Sequence, residues 1–281
     1  MPKETTTDAE MAFQGNTSSR DGSLRSRRRD PIRNAPFAGR IGGNQAFIAT
    51  DDSVESEEIL RKQPDAAPLL TLQDALDLRG FFVVDTWRQA AIEAWGTCLL
   101  VFILGAVSSG LTSLPTGTSP LAIGAYAALT NGVGLSLFIY SAGPASGGHL
   151  NPTITFATFC AGLATLPRAV IYISAQILGA IIGGYFLRLG LGDAYFATGI
   201  IPGCTVDPQF VSAGQLWVLE FMFAQGLIFT AFGVGLDPRS AKTLGAALAP
   251  VLVGASLSLG TLASSVAKPG YTGICMATSR P

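Results

Sequence analysis

The stretch Ser146-Gly147-Gly148-His149-Leu150-Asn151-Pro152-Thr153 decides the fold, because it is polar and glycine-rich yet lies between two long apolar segments. Backbone without helical or barrel pairing is tolerated at membrane depth only inside protein or beside a water-filled cavity. The stretch ends in Asn-Pro, which suits the start of a helix: the Asn oxygen can cap, and Pro fits the first helical position. Residues 154–161 are apolar but too few to cross a bilayer. The pattern predicts a short re-entrant helix whose positive N-terminal end points at the membrane midplane, the architecture of a channel.

Charge divides the chain in two. Of its 281 residues only 13% are charged, and residues 1–86 hold 11 of the 18 Lys/Arg and 14 of the 19 Asp/Glu. That segment is polar, punctuated by Pro, and has too few periodic apolar residues to offset the entropy of folding. It reads as a disordered cytosolic N-terminal tail, with a short helical turn expected near residues 74–79 leading into a membrane domain over 87–281. The cluster Arg25-Ser-Arg-Arg-Arg29 reads as a solvated run within that tail. A net charge of −1 gives no sign of a nucleic-acid partner. Cys98, Cys160, Cys204 and Cys275 are scattered, with no metal-ligand spacing and no disulfide framework. No cofactor or metal is expected.

Five stretches reach the roughly 20 apolar residues a membrane helix needs: about 88–110, 120–142, 167–189, 213–236 and 243–264. Arg in the tail, Arg168, Arg239 and Lys242 bias the orientation towards a cytosolic N-terminus in an integral, multi-pass protein.

The spans repeat. Glu93 stands near the start of the first and Glu220 near the start of the fourth, each the one acid in its apolar span. A carboxylate in hydrocarbon is costly and must face donors inside a bundle, so both are expected to be structural buried acids. Glu93 to Asn151 is 58 residues, and Glu220 plus 57 is Ala277, four residues after Gly273 as Asn151 is four after Gly147. Three spans lie between the tail and the middle of the protein, so the two halves have inverted topology. The expected fold is an all-α membrane protein: five transmembrane helices plus one re-entrant half-helix, a first repeat over 87–190 and an incomplete second over 213–281. Where Gly273-Ile-Cys-Met276 leads towards a second Asn-Pro, the sequence supplies Ala277-Thr278, and the expectation is a C-terminal truncation.

These residues resemble the major intrinsic protein family, the aquaporins and aquaglyceroporins. The matching pieces are Glu93-x-x-Gly96-Thr97, Ser146-Gly-Gly-His-Leu-Asn-Pro-Thr153, Ala175-Gln176-x-x-Gly179-Ala180, Glu220 and Tyr271-Thr-Gly273. Thr153, where the family usually has Ala, and the Gly-Ile-Cys-Met approach are similar to the X-intrinsic subgroup of fungi and plants. The resemblance implies an aquaporin-like monomeric pore, assembled as a homotetramer in the lipid bilayer, that passes water and small neutral solutes such as glycerol. It implies an NPA-like motif of Asn151, Pro152 and Thr153, with Asn151 donating to the passing solute and Pro152 starting the helix. Carbonyls of Gly147, Gly148 and His149 would line the pore on the cytosolic side.

The family's external constriction falls on Asn131, on Thr261 (or Ser265 if the loop insertion lies elsewhere), on Ile274 and on Arg280. Asn and Thr there imply an opening wider than that of a strict water channel. His149, the only His, lacks a nucleophile or carboxylate partner for base chemistry and is expected to brace the loop or line the pore. The membrane half offers no cluster of acid/base groups, so an enzyme is not expected. As written, the chain is expected to conduct poorly; the alternative is a non-conducting short isoform that assembles with full-length subunits and regulates them.

Overall fold

Proline and small polar caps set where most of the helices begin. The structure, a computed structural model, describes residues 39–42, 54, 58, 70–112, 119–192, 206–237, 246–268 and 271. Thr71 caps a single turn, α1 (Leu72–Ala75), through the Asp74 N–H, and Asp77 caps a 3₁₀ turn over Leu78–Phe82 through the Arg79 N–H. Arg79 also pairs with the Asp77 carboxylate, which its guanidinium holds below the usual carboxylate range. The chain then enters α2 (Val84–Thr112) and, after Ser119, α3 (Pro120–Ser146), which has Pro at its first turn.

Gly147, at φ 101°, ends α3 in the left-handed conformation and returns its N–H to the Gly143 carbonyl. This is the glycine stop that helix C-termini favour. Next come the half-helix α4 (Pro152–Cys160) and α5 (Leu166–Leu191), capped by Thr165. A Ser212/Gln215 capping box opens α6 (Ala213–Thr230), which runs on as a π-helix over Ala231–Leu236. α7 (Ala249–Ala267) follows a 3₁₀ turn. Among the described residues there is no strand, only an isolated antiparallel bridge between Val206 and Tyr271.

Five of these helices are long and apolar enough to cross a membrane. α4 is not: its nine residues extend about 13 Å against a hydrocarbon core of about 30 Å. Trp95, Leu137, Ile181 and Phe229 stand exposed. Such a density of outward apolar side chains suits hydrocarbon and would be a liability in water.

Two close crossings organise the bundle. Where α2 meets α5, a Cβ on Gly179 would lie 2.1 Å from the Ala94 carbonyl oxygen, and one on Gly183 2.4 Å from that of Cys98. Where α3 meets α7, a Cβ on Gly254 would lie 2.4 Å from the Gly132 carbonyl, and Ser258 Oγ donates to the Ala128 carbonyl at 2.8 Å. Small residues at four-residue spacing let membrane helices approach to backbone contact.

The structure departs from the sequence expectation in three places. α7 begins at Ala249, not 243, with Pro250 in its first turn, where the missing N–H costs no hydrogen bond. α2 begins at Val84, inside the stretch assigned to the tail. Within the same stretch Gly39-Arg40-Ile41-Gly42 is packed into the bundle: Ile41 is 4% exposed and belongs to the core cluster with Ile139, Leu150, Leu236 and Val253. One large apolar side chain and bonds to carbonyls at helix ends hold it.

Candidate functional site

The site is built around Glu93, which is fully buried in α2. Its Oε1 accepts from Ser146 Oγ at 2.5 Å and from the His149 N–H at 3.1 Å. Its Oε2 accepts from the Leu150 N–H at 2.6 Å and from Gln176 Nε2 of α5 at 2.9 Å. Two consecutive backbone N–H groups thus converge on one acid, a nest-like arrangement made possible by a twisted loop. Gly147, Gly148 and Leu150 have φ of 101°, 67° and 50°. Leu150 is the one non-glycine with positive φ among the described residues. That conformation costs a side-chain-bearing residue about 1–2 kcal/mol. The Glu93 bond and the burial of the Leu150 side chain beside Gly96 hold it there.

The same loop presents α4. Asn151 Oδ1 accepts from the Thr153 N–H at 2.8 Å, and Pro152 opens the helix. With Oδ1 committed to the cap, the hydrogen-bond donors of this side chain lie on Nδ2. Thr155, one turn on, ties α4 to α5 through Gln176 Nε2 at 3.0 Å. His149 is buried, with Nδ1 3.1 Å from Thr155 Oγ1 and Nε2 2.7 Å from the Gly39 carbonyl oxygen. A carbonyl can only accept, so Nε2 carries the proton and Nδ1 accepts from the Thr155 hydroxyl.

A second layer supports the loop from behind. Tyr172 of α5 donates to the Ser146 carbonyl at 2.7 Å and meets the His149 ring edge-on, with centroids 5.9 Å apart. Arg168 donates to Tyr172 Oη at 2.9 Å and to Gln89 Oε1. The sequence reading did not single out Tyr172 or Gln89 and took Arg168 only as a charge that sets orientation; helical spacing alone does not distinguish them from other buried polar residues.

The residues expected at the constriction are brought together in part. Asn131 of α3 and Thr261 of α7 are both buried, and Asn131 Nδ2 donates to Thr261 Oγ1 at 3.4 Å. Ser265 instead donates to the Leu262 carbonyl and sits against Gly124, so Thr261 is the residue that meets Asn131. Ile274 and Arg280 lie outside the described residues, as do Cys204 and Cys275. In the second half Glu220 is half-buried and accepts from the Tyr271 hydroxyl at 2.7 Å. Desolvation, and then the carboxylate it donates to, raise the Tyr271 phenol above its ordinary range.

The segment of the tail meets this loop directly. The Ile41 N–H donates to the Gly147 carbonyl at 3.0 Å, and the Gly42 N–H to the Gly235 carbonyl at 2.9 Å. Arg40 Nη1 donates to the carbonyls of Gly143, at 3.3 Å, and of Pro144.

The family model for Major intrinsic protein matches residues 81–281. Among curated relatives, the chain is 29% identical over 171 residues to Aquaporin TIP1-2 of Zea mays, covering 60% of this chain and 64% of that protein. It is 31% identical over 178 residues to Aquaporin TIP1-1 of Arabidopsis thaliana, covering 60% and 65%. Aquaporin TIP4-1 of Zea mays is 28% identical over 196 residues, covering 69% and 71%. The chain thus spans a little under two thirds of the length of the first two.

Proposed function

Because the chain belongs to the major intrinsic protein family, we propose that it is a membrane channel for passive movement of water and small neutral solutes such as glycerol. The observation that carries this reading is the fully buried Glu93, which holds a left-handed loop so that Asn151 stands at the N-terminal end of a half-helix. A helix N-terminus within the membrane supplies oriented donors and a positive potential that disfavours cations. In this reading Asn151 Nδ2 donates to the solute, and the carbonyls of Gly147, Gly148 and His149 accept from it. Asn131, Thr261, Ile274 and Arg280 form the external constriction.

The channel domain is 87–281, the N-terminus is cytosolic by the excess of Arg on that side, and the assembly is a homotetramer. The protein carries no catalytic role in this reading. The test is reconstitution into liposomes, with stopped-flow light scattering under water and glycerol gradients. Flux of both above protein-free liposomes, lowered by Asn151→Ala, supports the reading. Water flux without glycerol flux removes the solute part. Flux that arises only when a six-span relative is co-reconstituted supports a regulatory subunit instead.

A further inference from the structure

We infer that Gly39-Arg40-Ile41-Gly42 is an internal plug, a tetrapeptide bound in the mouth of the proposed pore that must leave before solute can pass. The inference rests on the channel reading of the same loop.

The mouth is rich in acceptors. The last carbonyls of a helix have no partner within it, and two helices, α3 and the π-helical end of α6, end here. Of the carbonyls involved, that of Gly143 already accepts from the Gly147 N–H and offers Arg40 its second lone pair. Gly143 and Pro144 lie in the last turn of α3, Gly147 follows it, and Gly235 lies in the last turn of the π-helix. The segment addresses all four: Arg40 takes the first two, the Ile41 N–H takes Gly147 and the Gly42 N–H takes Gly235. Arg40 also brings a cation to the negative end of α3.

In the other direction the Gly39 carbonyl accepts from His149 Nε2, the far end of a chain running through Thr155 and Gln176 to Glu93. Ile41 fills the apolar remainder at 4% exposure. The Gly147 carbonyl taken by Ile41 is one that the channel reading gives to the solute, so segment and solute compete for it. Gly42 holds φ 71° at the contact, a conformation that side-chain-bearing residues rarely adopt.

The geometry supplies its own test. A Cβ on Gly235 would lie 3.9 Å from the Ile41 Cβ, within the range a disulfide bridges. The full chain with Ile41→Cys and Gly235→Cys is oxidised, and the crosslink is identified by peptide mass mapping. A pair of Ile41→Cys with Gly233→Cys serves as control, because a Cβ on Gly233 meets nothing within 4 Å. The first pair is expected to bridge and the control pair not. In liposomes the bridged form should pass less water than the unsubstituted chain, and reductant should restore flux. If the plug is seated about nine-tenths of the time, Ile41→Asn, which frees it without the added cysteines, raises permeability roughly tenfold.

Failure of the first pair to bridge, or equal bridging by both, overturns the docking. Bridging with the same flux before and after reduction, above that of protein-free liposomes, overturns the plug. Bridging with no flux from any form, Ile41→Asn included, overturns the channel reading and the plug's role with it, while the docked segment stands.

Discussion

The two halves of the molecule carry the same acid near the start of corresponding helices and use it differently. Glu93 gathers four donors from three elements and is completely buried, whereas Glu220 is half-buried with Tyr271 as its described donor. The helices around them differ in the same direction. Among the described residues α6 is the least enclosed span, 22% buried against 33–39% for the other four. The contrast teaches that the acid itself is only half of the device. Its work is to fix a loop, and it does so where a second helix stands close enough to contribute from behind, as Gln176 of α5 does for Glu93.

Removing the acids is the strongest way to break the comparison. Glu93→Ala leaves Ser146 Oγ, Gln176 Nε2 and the N–H groups of His149 and Leu150 without their shared acceptor. Each buried unsatisfied group costs about 1–3 kcal/mol, so a loss of several kcal/mol and poor recovery of folded protein are expected. Glu220→Ala takes the acceptor from the Tyr271 hydroxyl, a bond worth about 1 kcal/mol, and a smaller loss than for Glu93 is expected. Unfolding in detergent measures both, and equal losses would dissolve the distinction between the halves.

Adding a methyl group sharpens it next. Gly179→Ala places a carbon against the Ala94 carbonyl and forces α2 from α5, at a cost of about 1–3 kcal/mol from overpacking. In α6, Gly226→Ala meets nothing within 4 Å and should be stabilising by about 1 kcal/mol through helix propensity. Opposite signs in the same unfolding assay are the expected outcome.

Asn151→Ala is smaller in stability, about 1 kcal/mol for a lost cap, and larger in function. Permeability should fall severalfold while the detergent-solubilised protein stays folded. The smallest effect belongs to Tyr271→Phe. The phenol's folded pKa is raised, so its contribution is present below the unfolded value of about 10 and is lost as pH rises through the folded one. The substituted chain should be slightly less stable at neutral pH and should lose less on going to strongly alkaline pH.

Much of the first half could be read from the sequence because its signals are local. Asn-Pro after a glycine-rich turn announces a capped half-helix, and Asn151 and Pro152 occupy the cap and first-turn positions. The lone acid in an apolar span announces burial. Its partners could not be read, since Ser146 and Gln176 lie 53 and 83 residues away and look like any polar residue on a helix. The start of α7 was misplaced because apolar composition runs smoothly through residues 243–249, and only the packing of Pro250 into the first turn marks the boundary. The packed segment at residues 39–42 was missed for the opposite reason. One isoleucine among two glycines and an arginine has no period to detect, and its acceptors belong to helix ends that exist only once the bundle has formed.

The dispersal of the Glu93 donors also sets an order of events during synthesis. Ser146 leaves the ribosome 53 residues after the acid and Gln176 83 residues after it. At about 5–20 residues per second the last donor arrives roughly 4–17 s late. For that interval α2 must wait with an acid that nothing in its own helix satisfies. The first helical hairpin is therefore an unfinished product in the membrane until α5 is made, and the nascent chain needs a sheltered place to wait.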